Sequence, residues 1–103
     1  MANYNEMMKQ AQAMQRKLAD AQEEIAGMEV SGQAGGGMVS ATVSGSGDVV
    51  KRIDINPEAV DPEDVEMLGD MVMAAVNEAL RAAKELEEDR LGGIAGGLGL
   101  PGM

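Results

Sequence analysis

Apolar residues follow two different periods along this chain, and the changes of period divide it into five elements. Between Tyr4 and Gly27, with Met28 following, Met7, Ala11, Met14, Leu18, Ala21, Ile25 and Met28 recur at alternating steps of four and three. That spacing places them on one stripe of an amphipathic helix. Three heptads are close to the lower limit for a coiled coil, so the segment reads as a single long helix of roughly 36 Å. Asn3 or Asn5 offers a cap at its start, and Gly27 suits its end.

The period then drops to two. Met28, Val30 and Ala34 alternate with Glu29, Ser31 and Gln33; Val39, Ala41 and Val43 alternate with Ser40, Thr42 and Ser44. In a third run Val49, Ile53 and Ile55 alternate with Val50, Arg52 and Asp54, with Lys51 interrupting the apolar side. These are three strands with one wet face. Gly35-Gly36-Gly37 and Gly45-Ser46-Gly47-Asp48 lie between them as hairpin turns. Asn56-Pro57 ends the third strand, and Asp61-Pro62-Glu63-Asp64 is a helix start with a cap, a proline at the first helical position and acids at the positive end of the dipole. Val65, Leu68, Val72, Ala75, Ala79, Ala82 and Leu86 again step by three and four, and the glycines at 92 and 93 are expected to stop this helix near Arg90.

The predicted fold class is therefore α+β, a helix–strand–strand–strand–helix order with a three-stranded antiparallel meander. Residues 1–91 form one domain and residues 92–103 a flexible Gly-rich tail. The second helix would be roughly 43 Å long and the strands only ~23 Å, so both helices overhang the sheet. Overhanging seams leave Met, Leu and Ile exposed at ~1.5–3 kcal/mol each. The helices must cover one another, and a symmetric homodimer is the economical way to finish the task. Met14, Leu18, Ile25, Leu68, Val72 and Leu80 are the residues expected to pack arms and dimer.

Composition sharpens this picture. In 103 residues there is no Phe or Trp and a single Tyr, so the core is thin. Cys and His are both absent, which removes disulfides and most zinc, haem and iron–sulfur chemistry and leaves oligomerisation as the source of added stability. No run approaches the ~20 apolar residues of a membrane span and no leader pattern opens the chain, so a cytoplasmic protein is expected.

No constellation supports catalysis. Glu23-Glu24 and the acidic run 85–89 read as solvated helix surface, since adjacent helical residues do not face each other. Asp54-Ile55-Asn56-Pro57-Glu58 opens like a calcium loop, but Ala59 stands where the glycine belongs and Val65 where the bidentate acid belongs. Gly45-Ser46-Gly47 leads into a strand rather than a helix, and Ser40, Ser44 and Ser46 have no histidine to activate them. The ten methionines read as core filling. The reading is a non-enzyme without cofactor or metal.

A formal charge of −10 argues against a polyanionic partner, so any nucleic-acid contact has to be local. Residues 1–19 supply it: Lys9, Arg16 and Lys17 stand against Glu6 alone, with Gln10, Gln12 and Gln15 as neutral hydrogen-bonding groups. Lysine and arginine meet phosphates, and glutamine reaches sugar or base edges. Lys51-Arg52 is a second candidate, diluted by Asp48 and Asp54; Arg81 with Lys84 is a third. On charge alone a solvated helix face is the simpler reading.

The stretch Met8-Lys-Gln-Ala-Gln-Ala-Met-Gln-Arg-Lys, followed by Gln22-Glu-Glu-Ile-Ala and Glu29-Val-Ser-Gly, resembles the opening of the YbaB/EbfC family of bacterial nucleoid-associated proteins. Ile53-Asp-Ile-Asn-Pro-Glu, Glu66-Met-Leu, Ala74-Ala-Val-Asn-Glu-Ala and the closing Leu100-Pro-Gly continue the likeness in order over nearly the whole chain. The resemblance implies a tweezer-like homodimer that binds duplex DNA with little sequence preference through its helical arms, associates with the nucleoid, and affects nucleoid organisation and gene expression. It directs DNA binding to the arm, where it matches Lys9, Arg16 and Lys17; Gln12 beside them and Lys51 and Arg52 remain candidates from the residue pattern alone. Two departures stand out: Ser-Gly replaces the Asn-Gly of many relatives in the hairpin, and Leu68-Gly69-Asp70-Met71 replaces Leu-Glu-Asp-Leu, with Gly69 costing about 1 kcal/mol relative to Ala. The strong acidity keeps open an alternative from another class, a helical interaction module for proteins of the replication or recombination apparatus.

Overall fold

The computed structural model describes residues 2–96, in the order α1 (Ala2–Gly27), β1 (Glu29–Ala34), β2 (Val39–Ser44), β3 (Val50–Ile55) and α2 (Val65–Gly96). Short 3-10 turns occupy Gly35–Gly37 and Pro57–Ala59. The strands form one antiparallel sheet in the order β1-β2-β3. Gly35, Gly36, Gly37 and Gly47 all have positive φ, which explains why the two hairpin connections are built from glycine.

Helix α2 lies across β1 and β2, leaving β3 at the uncovered edge. Val39, Ala41 and Val43 point into this layer and meet Ala75, Ala79 and Ala83, all essentially fully buried. Small side chains on both surfaces let helix and sheet approach closely, and Gly32 of β1 marks the tightest point. A Cβ there would stand 2.5 Å from the Ala75 carbonyl oxygen and 2.8 Å from the Glu78 carbonyl carbon.

Three expectations need correction. Asp61 does not cap α2: its Oδ1 accepts from the Glu63 N–H at 2.9 Å in a separate turn, and Asp64 Oδ1 accepts from the Met67 N–H at 3.2 Å as the true cap. Pro62 therefore sits in that turn, one turn before the helix. In β3 a register shift opposite Thr42/Val43 inserts Lys51 as an extra residue. Val50 is thereby paired with Val43 on the core side, and Val49, the residue predicted to face inward, lies opposite Ser44. Finally, α2 runs through Gly92 and Gly93 to Gly96. Leu91 and Ile94 on either side are half-buried, and that apolar gain offsets the ~1 kcal/mol cost of each helical glycine. The remainder of the expected tail, residues 97–103, lies outside the described residues, and Gly69 interrupts nothing in α2.

Both helices overhang the sheet, as their lengths of 26 and 32 residues against six-residue strands require. They run antiparallel where they meet. Ile25, 2% exposed, is buried at the junction beside Gly45 and Leu86, and Arg90 Nη1 donates to Glu24 Oε1 at 3.1 Å farther out. That pairing puts Gly96 level with about Leu18. Earlier residues of α1 project as an arm: 3–13 are exposed throughout, and only Met14 and Leu18 are half-buried. The molecule measures 74 × 25 × 16 Å.

Candidate nucleic-acid interface

At 100° per residue Lys9 and Arg16 lie within about 20° of each other on α1, opposite the Met14–Leu18–Ile25 seam. Gln12 stands about 50° to one side, and Lys17 is turned by about 90° toward the flank. All four are exposed. No acid occupies the first turn of α1, and the positive end of its dipole lies at the tip of the arm.

Lys51 and Arg52 are placed differently. Both lie on the polar face of the sheet, away from α2. Lys51 Nζ is 3.7 Å from Glu29 Oε2, while Arg52 Nε donates to Asp54 Oδ2 at 3.0 Å and its Nη2 to Thr42 Oγ1 at 3.2 Å. Thr42 is 3% exposed and also shares a 3.2 Å hydrogen bond with Ser31, so Arg52 roofs a small hydroxyl ladder. Arg90 is engaged with Glu24. Among the described residues Lys9, Arg16 and Lys17 are in no ion pair, nor are Arg81 and Lys84, which share α2 with the acids at 85 and 87–89. The sequence pattern makes Lys51 and Arg52 a second candidate diluted by Asp48 and Asp54; the structure adds Glu29 opposite Lys51 and places Asp54 on Arg52.

Of the six packing residues, Ile25 closes the junction, Leu68 and Val72 pack onto the core, and Met14 and Leu18 are half-buried along the arm. Leu80 is 37% exposed and lies beside Gly47 of the β2–β3 turn. A cavity of about 430 Å³ at the junction is lined by Gln22, Ile25, Ala26, Ser46, Asp48 and Glu87. It holds two carboxylates and no nucleophile–base pair, and among the described residues no group of three possible metal ligands occurs. No helix among them is long and apolar enough to cross a membrane.

The model of the YbaB/EbfC DNA-binding family matches residues 1–98. The chain belongs to this family. Relatives within reach of it include a nucleoid-associated protein of Saccharopolyspora erythraea, 50% identical over 98% of this chain and 94% of that one. Another, from Rhodococcus erythropolis, is 54% identical over 94% and 88%. The crystal structure of the uncharacterized protein HP0035 from Helicobacter pylori shares the fold, with a TM-score of 0.73 at 20% identity over 86% of this chain and 92% of that chain. YbaB/EbfC membership agrees with the non-catalytic reading and with the helix–sheet–helix order derived from the periodicities.

Proposed function

We propose that the protein binds duplex DNA as a homodimer at the nucleoid, with little sequence preference, through phosphates held by Lys9, Arg16 and Lys17 of the projecting arm. Gln12 adds neutral hydrogen bonds beside them. The observation that carries this reading is the division of the cations. Those on the arm are exposed, unpaired among the described residues and set against Glu6 alone over residues 1–19, whereas Lys51, Arg52 and Arg90 already face carboxylates and Arg81 and Lys84, though unpaired, share α2 with the acids at 85 and 87–89. Lys51 and Arg52 therefore contribute less. A protein this acidic reaches DNA only at the end of a lever that carries the cations away from its bulk charge, and the association it supports is weak, salt-sensitive and suited to nucleoid organisation rather than to one operator.

A salt titration tests it. If six cations per dimer contact phosphate, log affinity falls with log salt at a slope of about −5. A flat dependence overturns the phosphate reading.

The dimer is supported by apolar surface that one chain leaves open. Val50 and Ile55 of β3 and Met73 and Leu80 of α2 are all exposed, although Ile53 and Val76 beside them are partly buried against the core. A second copy covering this edge would also blunt the free edge of β3. Light scattering at micromolar concentration should give twice the 10.7 kDa of one chain; the mass of a single chain would remove the dimer from the account.

Exposed Tyr4, Met7 and Met8 on the arm favour a second reading, a surface for a protein of the replication or recombination apparatus. Retention of such a partner after nuclease treatment, with no DNA binding at physiological salt, would replace the first reading with this one.

A further inference from the structure

The stripe of α1 that carries Lys9 and Arg16 also carries Asn5 before them and Asp20 and Glu23 after them, all within about 40° of one line along the helix. Every one of these side chains is exposed, and among the described residues neither Asp20 nor Glu23 is in an ion pair. Asp20 follows Arg16 by one turn, about 6 Å along the axis, which is inside the ~8 Å screening length at physiological salt. Behind it Asp48 and Glu87 line the junction with Gln22 and Ala26 of α1, and Arg90 is already committed to Glu24. The sign of the stripe therefore reverses sharply between residues 16 and 20.

We propose that Asp20 and Glu23 set the inner limit of the DNA contact, confining the duplex to the Asn5–Lys9–Gln12–Arg16 segment of α1. This inference rests on the phosphate reading of the arm. Its physical content is twofold. Phosphates seated on Lys9 and Arg16 are repelled if the duplex slides toward the sheet, and Asp20, at the i+4 position from Arg16, competes with phosphate for that guanidinium. The contact is then about 17 Å long, from Asn5 to Arg16. DNA is held at the distal part of the arm, clear of the acidic body.

The test is duplex binding by fluorescence anisotropy from 50 to 500 mM salt, using the full chain with Asp20→Asn and Glu23→Gln together. Affinity should rise about three- to tenfold at 50 mM, and the gain should vanish toward 500 mM as screening shortens. Glu58→Gln with Glu63→Gln changes the net charge equally at the opposite end of the molecule and should alter affinity less than about twofold. Equal gains from the two pairs, or no gain from the arm pair, overturn the boundary. A parallel Lys9→Glu/Arg16→Glu protein separates the two levels. If it loses binding while the Asp20/Glu23 pair changes nothing, only the boundary falls; if it binds normally, the phosphate reading falls and takes the boundary with it.

Discussion

A Gly32→Ala protein should melt about 12–24 °C below its parent, the result of losing about 3 kcal/mol from a domain of this size. The loss is large because the added methyl has nowhere to go. Its Cβ would meet the Ala75 carbonyl oxygen, the Glu78 carbonyl carbon and, most closely, the Ala79 amide nitrogen, all backbone atoms of α2 that no rotamer change can move. The helix has to lift from β1, opening the dry layer of Val39, Ala41 and Val43 against Ala75, Ala79 and Ala83. Typical overpacking costs about 1–3 kcal/mol where side chains yield, and here only backbone can yield. Thermal unfolding at matched chain concentration measures it, since association would shift the midpoint. Gly69→Ala is the contrasting case: its Cβ enters open space in the same helix, and the change should stabilise by about 0.5–1 kcal/mol. An unchanged melting temperature for Gly32→Ala would mean that α2 does not rest on β1 as described.

The second large effect is functional. Lys9→Glu, Arg16→Glu and Lys17→Glu in one protein should weaken duplex binding by at least about a hundredfold at physiological salt and leave the helix content unchanged. All three residues are exposed, so folding loses nothing that packing supplied. What changes is the field at the arm, where three basic residues against Glu6 become four acids. Each lost phosphate contact also removes about 0.9 from the salt slope, so the residual binding should be nearly independent of salt. Lys51→Ala with Arg52→Ala should have a much smaller effect, because those cations are already opposed by Glu29 and Asp54, and Thr42 keeps its hydrogen bond to Ser31. Mobility shifts with the triple variant showing parental affinity would remove the arm cations from the account.

Much of this architecture is legible from spacing alone, because the seam of α1 from Met14 onward and the alternation in β1 each bury one side, whereas in β2 the expected wet face is buried too, with Thr42 and Ser44 only 3% and 4% exposed. Lys51 is where that logic breaks. A polar residue among apolar ones signals an irregularity, but whether it is a bulge or a break depends on the partner strand, and the one-residue shift sets Val50 rather than Val49 opposite Val43 while leaving both exposed. The start of α2 lies about one turn later than its cap pattern predicts for a related reason: Asp61 and Asp64 are both competent caps, and only the chain's path out of the Pro57–Ala59 turn selects the second. Glycine pairs likewise stop a helix only when nothing apolar rewards continuing, which Leu91 and Ile94 do. At the interface, the cluster of Lys9, Arg16 and Lys17 follows from helical geometry. Dilution of Arg52 by Asp54, two residues on along one strand, is legible as well, whereas the pairing of Lys51 with Glu29 is not, since Glu29 lies on another strand.

The elongation of the chain has a practical corollary for anyone measuring its assembly. Its radius of gyration is 19.8 Å, whereas a globular chain of equal length would have about 13 Å. The observed value is that of a globular protein of about 320 residues. A sizing column calibrated with compact standards would therefore report a single copy as heavier than one chain, and elution volume alone would count part of the arm as added mass.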